Sequence, residues 1–528
     1  MSPSIRSHAR RPGPRLALGR LALAALVFMA SAQVSVAQAP GGGSGALPHL
    51  GDNSELTTAA ERRIGDRIAA GIYRDPDNID DPVLADYLQG IWQPLLAAAR
   101  ARGELAPELD ERFAWEVFLI RDRTVNAFAL PGGYFGVHLG LIGTVGSPDE
   151  LAAVLAHEIS HVTQRHISRL MTQQSRQTPW MIAAMILGAL AANKNPNAAG
   201  AAIVGGQAVA AQGQLNFSRD MEREADRVGF GVMSDAGFES RGVTAMFDKL
   251  QQASRLNDNG AFPYLRSHPL TTERIAAAQA RLQLAPASAK DSQADAGKAR
   301  LLHAMMAARA RVLATPGVDV LRTMVAEAQR RTAAPAPIRD AGSLYGGALA
   351  AAQLRDFAVA RDLLARLKPL TADIRRANMA VELLSIEMDL LAGSVPPSAS
   401  SIDLAKATAR AELLLQARAL LAAGRAKEVS ERLQGWVAAH SRDATAWQLL
   451  ALAYGQQNQN VRAIRADAES RAVQLDYPAA LDRLKAAQGL MRSNPGSADY
   501  VEGSIIDTRA RQLESLLKEQ ALQDKIDR

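Results

Sequence analysis

Two histidines and a glutamate fall within one short stretch of the chain, His157-Glu158-Ile159-Ser160-His161. In an α-helix, residues four positions apart lie on one face, so both imidazoles can reach a single zinc ion. Glu158 lies beside that face, where its carboxylate can take a proton from a metal-bound water. The stretch therefore predicts a zinc-dependent hydrolytic site, although a helix with exposed His and Glu side chains would carry the same pattern.

A catalytic zinc ion needs a third protein ligand and one open position. Glu222 and Asp226 lie four residues apart on one face of a predicted helix. We predict that Glu222 binds the metal, and that Asp226 accepts a hydrogen bond from the second ring nitrogen of a ligand histidine. A solvated acidic face is the alternative explanation of this pair.

The amino-acid composition limits which metal ligands and nucleophiles the chain can use. The chain contains no cysteine, so disulfides, thiolate ligands and thiol nucleophiles are excluded, and a tightly bound transition metal must use His and carboxylate ligands. His166 follows His161 by five residues and points away from the ligand face of the predicted helix. It is therefore predicted to lie at the surface.

Capped helices are expected to carry these side chains. Ser147 can cap a helix whose first residue is Pro148, and Glu150 completes a capping box, so this helix should run to about Leu170. A second helix should follow Ser218 and end near residue 237. Two more helices are predicted between residues 56 and 105, because apolar residues recur there at helical spacing.

Three short extended segments lie ahead of the histidine pair, at residues 115–120, 126–129 and 134–142. The turn Leu130-Pro131-Gly132-Gly133 predicts a hairpin between the second and third. Part of residues 117–130 is expected to form a sheet edge along which a peptide substrate binds as an added strand. A purely structural hairpin is the alternative.

The first residues have the composition of a secretory signal peptide, which we assign to 1–37. Five arginines precede or begin a short apolar run, and Ser35-Val36-Ala37 supplies small residues at a cleavage site. An N-terminal membrane anchor is the alternative. Without these five arginines, the chain has 55 basic and 54 acidic residues. Its net charge is then close to zero, so a nucleic-acid partner is not expected. The signal predicts export across the inner membrane.

Residues 38–54 are rich in Gly, Ser and Pro and are predicted to be a disordered linker. Residues 180–212 form two apolar or Ala/Gly-rich arms, each too short to cross a bilayer, which needs roughly 20 residues. A helical hairpin packed on the catalytic domain is one interpretation of these arms. A flap that contacts substrate or makes peripheral contact with a membrane is the other.

Helical repeats are predicted after residue 298. Leu420 and Tyr454, and Val429 and Ala463, match at an offset of about 34 residues, the period of tetratricopeptide repeats. A plain helical bundle is the alternative.

Taken together, these segments predict a fold class that is mostly α with a small β-sheet, in an α+β zincin-like metallopeptidase domain (55–282). A linker (283–298), an all-α TPR-like repeat domain (299–490) and a helical tail (491–528) follow it.

Four motifs in order resemble the metallopeptidase family of the CAAX prenyl proteases and HtpX. They are the zinc motif, the pair Glu222 and Asp226, the segment 126–133, and Ser267-His268-Pro269-Leu270 with Arg274. The signal and the repeats resemble the periplasmic protease-chaperones within that family. The resemblance implies one Zn²⁺ per subunit, bound by His157, His161 and Glu222, with Glu158 as the general base and Asp226 as the conserved acid.

The same resemblance implies further roles. His268 would lie near the metal, fill its open position in a latent enzyme and assist the transition state in an active one, while Arg274 would have a structural or oxyanion-side role. The implied substrates are unfolded or misassembled outer-membrane proteins, with the barrel-assembly machinery as a partner. Two other functions stay open: a scaffold or chaperone with a latent metal site, and a membrane-embedded prenyl protease, which the lack of long apolar spans disfavours.

Overall fold

Seven stretches of the chain are described by a computed structural model: residues 56–173, 218–255, 261–284, 293–314, 317–330, 336–493 and 500–526. They consist mostly of helices with one small sheet, which confirms the predicted fold class. The predicted signal peptide, the linker at 38–54 and the apolar arms at 180–212 lie outside these stretches, and the domain boundaries stay predictions. Within the described stretches, no helix combines the length and the apolar character that a membrane crossing requires.

Three helices open the described chain: α1 (Thr58–Tyr73), α2 (Pro82–Ala101) and α3 (Pro107–Arg112). The side chain of Thr57 caps α1 by accepting a hydrogen bond from the backbone of Ala60. Asp81 caps α2 in the same way, and Pro82 occupies the first turn, where no intrahelical donor is needed. The two helices predicted from apolar spacing are α1 and α2.

A four-stranded sheet lies against these helices, with strands β1 (Asn78–Ile79), β2 (Glu116–Ile120), β3 (Ala127–Leu130) and β4 (Tyr134–His138). The order across the sheet is β1-β2-β4-β3. Strand β4 pairs in parallel with β2 and antiparallel with β3 through the predicted turn. Strand β3 is therefore an edge of the sheet, whereas β2 has a neighbour on each side.

The third extended segment was predicted to reach Ile142, which is wrong. The strand ends at His138, and a short helix, α4 (Leu139–Thr144), follows it directly. A Cβ atom at Gly140 would lie only 2.1 Å from the backbone oxygen of Arg123, so this glycine lets the chain turn out of the sheet. Because the apolar run continues through the junction, its pattern does not separate a buried strand from a buried helix.

The helices around the predicted site are α5 (Pro148–Thr163), α6 (His166–Gln173), α7 (Arg219–Asp235), α8 (Arg241–Arg255), α9 (Tyr264–Ser267) and α10 (Thr272–Leu284). Ser147 and Ser218 cap α5 and α7 by accepting hydrogen bonds from the backbone of Glu150 and Met221. The first helix was predicted to continue to about Leu170, which is wrong. It ends at Thr163, and a left-handed residue, Arg165 with φ 54°, starts a new direction.

The rest of the described chain is helical. Its α-helices are α11 (Gln293–Leu313), α12 (Val318–Gln329), α13 (Pro337–Gln353), α14 (Phe357–Thr371), α15 (Arg375–Leu391), α16 (Arg410–Ala422), α17 (Ala426–Ala439), α18 (Ala444–Gln456), α19 (Asn460–Val473), α20 (Tyr477–Ser493) and α21 (Tyr500–Ile526), with 3-10 turns at Pro397–Ser400 and Leu404–Lys406. Residues 293–298, predicted as linker, are the first turns of α11. Gly424 and Asn458, which lie 34 residues apart in the turns after α16 and α18, both adopt left-handed backbone, with φ of 76° and 60°.

Two arginines attach this helical region to the loop between β1 and α2. Arg309 on α11 is buried, and its guanidinium lies 2.6 Å from Asp81 and 2.6 Å from Glu387. Arg410 at the start of α16 lies 2.6 Å from Asp80 and 2.9 Å from Asp443. Neighbouring acids, Asp80 and Asp81, therefore bind two separate parts of the helical region.

Candidate metal centre

Close packing of α5 against α7 brings the predicted ligands together. A Cβ atom at Gly229 of α7 would lie 3.1 Å from the backbone of Ala156 and His157, so the lack of a side chain there lets the two helices approach closely. His157 and His161 on α5 are 6% and 0% exposed, and Glu222 on α7 is 2% exposed. The site is therefore screened from bulk water.

Four side chains meet at one point: His157, His161, Glu222 and His268, whose ligand atoms all lie within 4.8 Å of one another. The Nε2 atoms of the two helix histidines are 3.0 Å apart. The Glu222 carboxylate lies 3.5 Å from each of them. Two imidazoles and a carboxylate on adjacent helices are a donor set that suits a catalytic zinc ion.

His268 occupies the fourth side of this cluster. Its Nδ1 atom lies 3.3 Å from Nε2 of His157 and 3.0 Å from Oε1 of Glu222. The short helix α9 holds it there, because the His268 backbone donates to the carbonyl of Tyr264 and the two rings stack 4.5 Å apart. A fourth nitrogen donor thus lies where a catalytic metal would keep its open position.

Glu158 lies at the centre of the site with a 1% exposed side chain. Among the described residues, neither of its carboxylate oxygens has a hydrogen-bond partner, and Nε2 of His268 lies 3.5 Å away. Burial raises the pKa of Glu158, against the opposing charges of His268 and His157. Buried acceptors of this kind fit a site that binds and deprotonates water beside a metal.

Asp226 and Arg274 contact the metal-ligand candidates on the side away from the cluster. Oδ1 of Asp226 lies 3.0 Å from Nδ1 of His157, the ring nitrogen that faces away from the cluster. Arg274 donates two hydrogen bonds to Asp226, at 2.6 and 2.8 Å. Its third nitrogen lies 2.7 Å from Oε2 of Glu222. One buried guanidinium therefore positions both acids of α7 that serve the cluster.

The local charges favour a cation at this point. Burial lowers the pKa of His157, but Asp226 and Glu222 outweigh burial and raise it to about 10. Burial lowers the pKa of His161, and neighbouring His157 and His268 lower it further. Burial raises the pKa of Glu222, but His268 and His157 reverse that effect and leave it far below its usual value. The acids thus hold positive charge here, which a divalent cation can supply.

His166 was predicted to lie at the surface, which is wrong. The break at Arg165 turns the chain back, so His166 is 0% exposed and its Nδ1 atom lies 2.9 Å from Nδ1 of His161. Its Nε2 atom lies 2.9 Å from Glu224. Burial lowers the pKa of His166 to about 4, despite the opposing effect of Glu224. A continuous helix would have pointed it elsewhere.

Glu224 and Tyr264 were not predicted as parts of this site. Glu224 lies between Glu222 and Asp226 in sequence but on another face of α7. It contacts His166, whose buried position helical spacing does not predict. Tyr264 precedes His268 by four residues, so their spacing is a weak signal that they share a helical face. The loop conformation that stacks their rings has no sequence pattern of its own.

Comparison with known proteins gives this geometry a family context. Residues 87–282 match the sequence profile of Peptidase family M48. A Vibrio cholerae protein is 38% identical over 242 residues, which cover 46% of this chain and 48% of that protein. The "Beta-barrel assembly-enhancing protease" of Escherichia coli is 28% identical over 479 residues, 89% of this chain and 92% of that protein. The "Mitochondrial metalloendopeptidase OMA1" of Arabidopsis thaliana is 30% identical over 165 residues, 31% of each chain.

Proposed function

We propose that this chain, which belongs to peptidase family M48 through residues 87–282, is an exported zinc-dependent endopeptidase of unfolded envelope proteins. The observation that carries the proposal is the cluster of His157, His161, Glu222 and His268, with ligand atoms within 4.8 Å of one another. We assign His157, His161 and Glu222 as the metal ligands, with one Zn²⁺ per subunit. Zinc is preferred because the donors are nitrogen and carboxylate oxygen in a small, closed set.

Peptide hydrolysis at this site divides into a few steps. A bound zinc ion would supply Lewis-acid activation of water and of the scissile carbonyl. Glu158 takes the proton from the attacking water, and its buried, raised-pKa carboxyl is suited to passing that proton on to the leaving amine. Asp226 keeps the proton of His157 on Nδ1, so Nε2 presents its lone pair to the cluster. We assign a second role to His268, which after displacement from the cluster donates a hydrogen bond to the developing oxyanion.

Edge strand β3 is the proposed site for the substrate backbone. It lies at the margin of the sheet next to α5, so an extended peptide can add to it through main-chain hydrogen bonds. Just before β3, the backbone of Val125 donates to the carbonyl of Ala261 at 2.8 Å. The segment that leads to His268 is thus hydrogen-bonded next to the substrate edge, and substrate binding and displacement of His268 would be linked.

The helical region is proposed to bind clients or a partner complex as tetratricopeptide repeats. At the period of about 34 residues, Leu420 and Tyr454 are both buried, and Gly424 and Asn458 both adopt left-handed backbone, although Val429 is fully buried and Ala463 only partly. The E. coli relative, which the alignment covers almost completely, is named for β-barrel assembly. We therefore propose misassembled outer-membrane proteins as substrates, the periplasm as the location and the barrel-assembly machinery as a partner.

Metal analysis of the purified full chain beside a His157→Ala variant tests the metal site. We expect one zinc per wild-type chain and much weaker binding by the variant, with cleavage of an unfolded protein lost in parallel. The variant His440→Ala changes an exposed histidine that directly follows α17 and is the matched control. Equal metal binding by wild type and His157→Ala would refute the ligand assignment.

A chaperone or scaffold with a latent metal site is the second candidate, and the position of His268 favours it. A latent enzyme keeps its fourth donor in place, as this structure does. The Glu158→Gln variant separates the two functions. If barrel assembly in cells depends on proteolysis, the variant fails to support it; if the variant supports assembly fully, the scaffold function is sufficient.

A further inference from the structure

His161 contacts a second buried histidine on the side away from the metal cluster. Its Nδ1 atom lies 2.9 Å from Nδ1 of His166, and both side chains are 0% exposed. His166 in turn has Nε2 at 2.9 Å from a carboxylate oxygen of Glu224. A line of contacts therefore runs from the metal cluster to a carboxylate on α7 through two imidazole rings.

The tautomers along this line follow from one requirement. Nε2 of His161 faces the cluster, 3.0 Å from Nε2 of His157 and 3.5 Å from Glu222. To bind a metal there, Nε2 must keep its lone pair, so the proton of a neutral ring is on Nδ1. Nδ1 of His166 must then accept that proton's hydrogen bond, and Nε2 of His166 carries the proton that Glu224 accepts.

Several contacts hold His166 in this orientation. Arg165 has left-handed backbone with φ 54° and reverses the chain between α5 and α6. Its side chain is bound by the buried carboxylate of Glu61, 3.0 Å away. Arg169, on the next turn of α6, donates to the same oxygen of Glu224 at 2.8 Å. The ring of His166 is thus fixed by its backbone and by a carboxylate that is itself held in place.

We propose that His166, oriented by Glu224, is a positioning residue for the metal ligand His161. It selects the Nδ1-protonated tautomer of His161 and keeps Nε2 aimed at the metal. Asp226 contacts His157 directly, whereas Glu224 acts on His161 through a second imidazole, that of His166. The proposal rests on the metal site assigned above. Residues that orient ligand histidines in this way typically contribute 10- to 100-fold to metal affinity.

Zinc affinity of the full chain, measured by competition with a chelator, tests the proposal in three variants. His166→Leu removes the acceptor, and we expect zinc to bind about 10- to 100-fold more weakly. His166→Asn keeps an acceptor near Nδ1, so its affinity should lie between those of His166→Leu and wild type. Glu224→Gln changes a side chain that is 33% exposed, so the protein should still fold. This variant therefore tests the contacts from Glu224 through His166 to His161 even if His166→Leu fails to fold. Its affinity should fall by about tenfold.

Two readouts separate positioning from simple packing. The unfolding free energy of the metal-free protein should change similarly in His166→Leu and His166→Asn, while their zinc affinities differ. Nitrogen NMR of zinc-loaded Glu224→Gln should show reduced protection of the proton on Nδ1 of His161. Wild-type affinity in both His166→Leu and Glu224→Gln, with zinc binding still dependent on His157, would overturn this inference alone. Zinc binding independent of His157 would instead overturn the proposed function.

Discussion

Nδ1 of His268 lies 3.0 Å from Oε1 of Glu222, the residue assigned as third metal ligand. A side chain from the loop before α10 thus occupies the fourth side of the cluster, and a substrate carbonyl and His268 cannot both be there.

Replacing His268 should therefore relieve latency. A competent state populated at about 1–10% would gain about tenfold or more in peptidase rate when its competitor is removed. The His268→Ala variant should cleave an unfolded protein faster than wild type, measured by initial rates at equal zinc occupancy. The exposed histidine variant His440→Ala should behave as wild type. A rate for His268→Ala below that of wild type would show that transition-state assistance outweighs the occluding role.

Glu158→Gln should abolish most of the activity without loss of the metal. The amide keeps the shape of the side chain but cannot accept a proton, and general acid–base groups contribute about 10²- to 10⁴-fold. We expect kcat/KM to fall in that range while zinc stoichiometry stays at the wild-type value. Glu111→Gln, a change at an exposed glutamate of α3, is the control. Retained kcat/KM in Glu158→Gln would remove Glu158 from the mechanism.

The buried arginine between the two regions should matter greatly for stability. Arg309 lies 2.6 Å from both Asp81 and Glu387, so Arg309→Ala leaves two carboxylates without their cation. Breaking a buried pair in this way costs about 3–5 kcal/mol in unfolding free energy. Denaturant unfolding measures the loss. Arg322→Ala, at an exposed pair with Asp319, should cost less than about 1 kcal/mol, and equal losses in the two variants would contradict the argument.

His303 should make the fold sensitive to mild acid. Burial lowers its pKa from 6.5, partly offset by the carbonyl of Val145 and by Glu150, while Lys249 and Arg311 lower it further. The unfolded chain therefore takes up a proton near pH 6.5 that the folded chain resists, so this contribution is present above that pH and is lost as the pH falls below it.

The His303→Gln variant isolates this effect, because its amide can still donate to the Val145 carbonyl. Between pH 7 and about pH 5, the unfolding free energy of wild type should fall more steeply than that of the variant. Parallel curves for the two proteins would contradict the pKa shift. Comparing the two slopes cancels the contributions of other titrating groups, which both proteins share.

Local sequence patterns predicted much of the fold because local physics determines those parts. Ser147 and Ser218 begin their helices where capping chemistry places them, and the Pro-Gly-Gly turn joins β3 to β4. The approach of His157 to His161 could be predicted because helical spacing fixes which side chains share a face. The resemblance to a known family supplied the pairing between the two helices.

What sequence reasoning missed depends on single backbone dihedrals and on long-range contacts. His166 was misplaced because nothing local shows that Arg165 would leave the helical region of backbone space. The end of β4 was misplaced because Gly140 turns the chain only where it meets the backbone of Arg123. Arg309 has no distinctive sequence context, since its partners Asp81 and Glu387 lie far away in the chain.

Adjacent residues Asp80 and Asp81 bind Arg410 and Arg309, and so attach two separate helices of the helical region to one short loop. Two such attachments to one loop keep the distance between the helical region and the metal cluster fixed. If the proposed function is correct, a polypeptide bound on the helical region would reach the metal cluster only after spanning a fixed distance, and its cleavage sites should fall at a constant interval from the bound segment, whatever residues lie between.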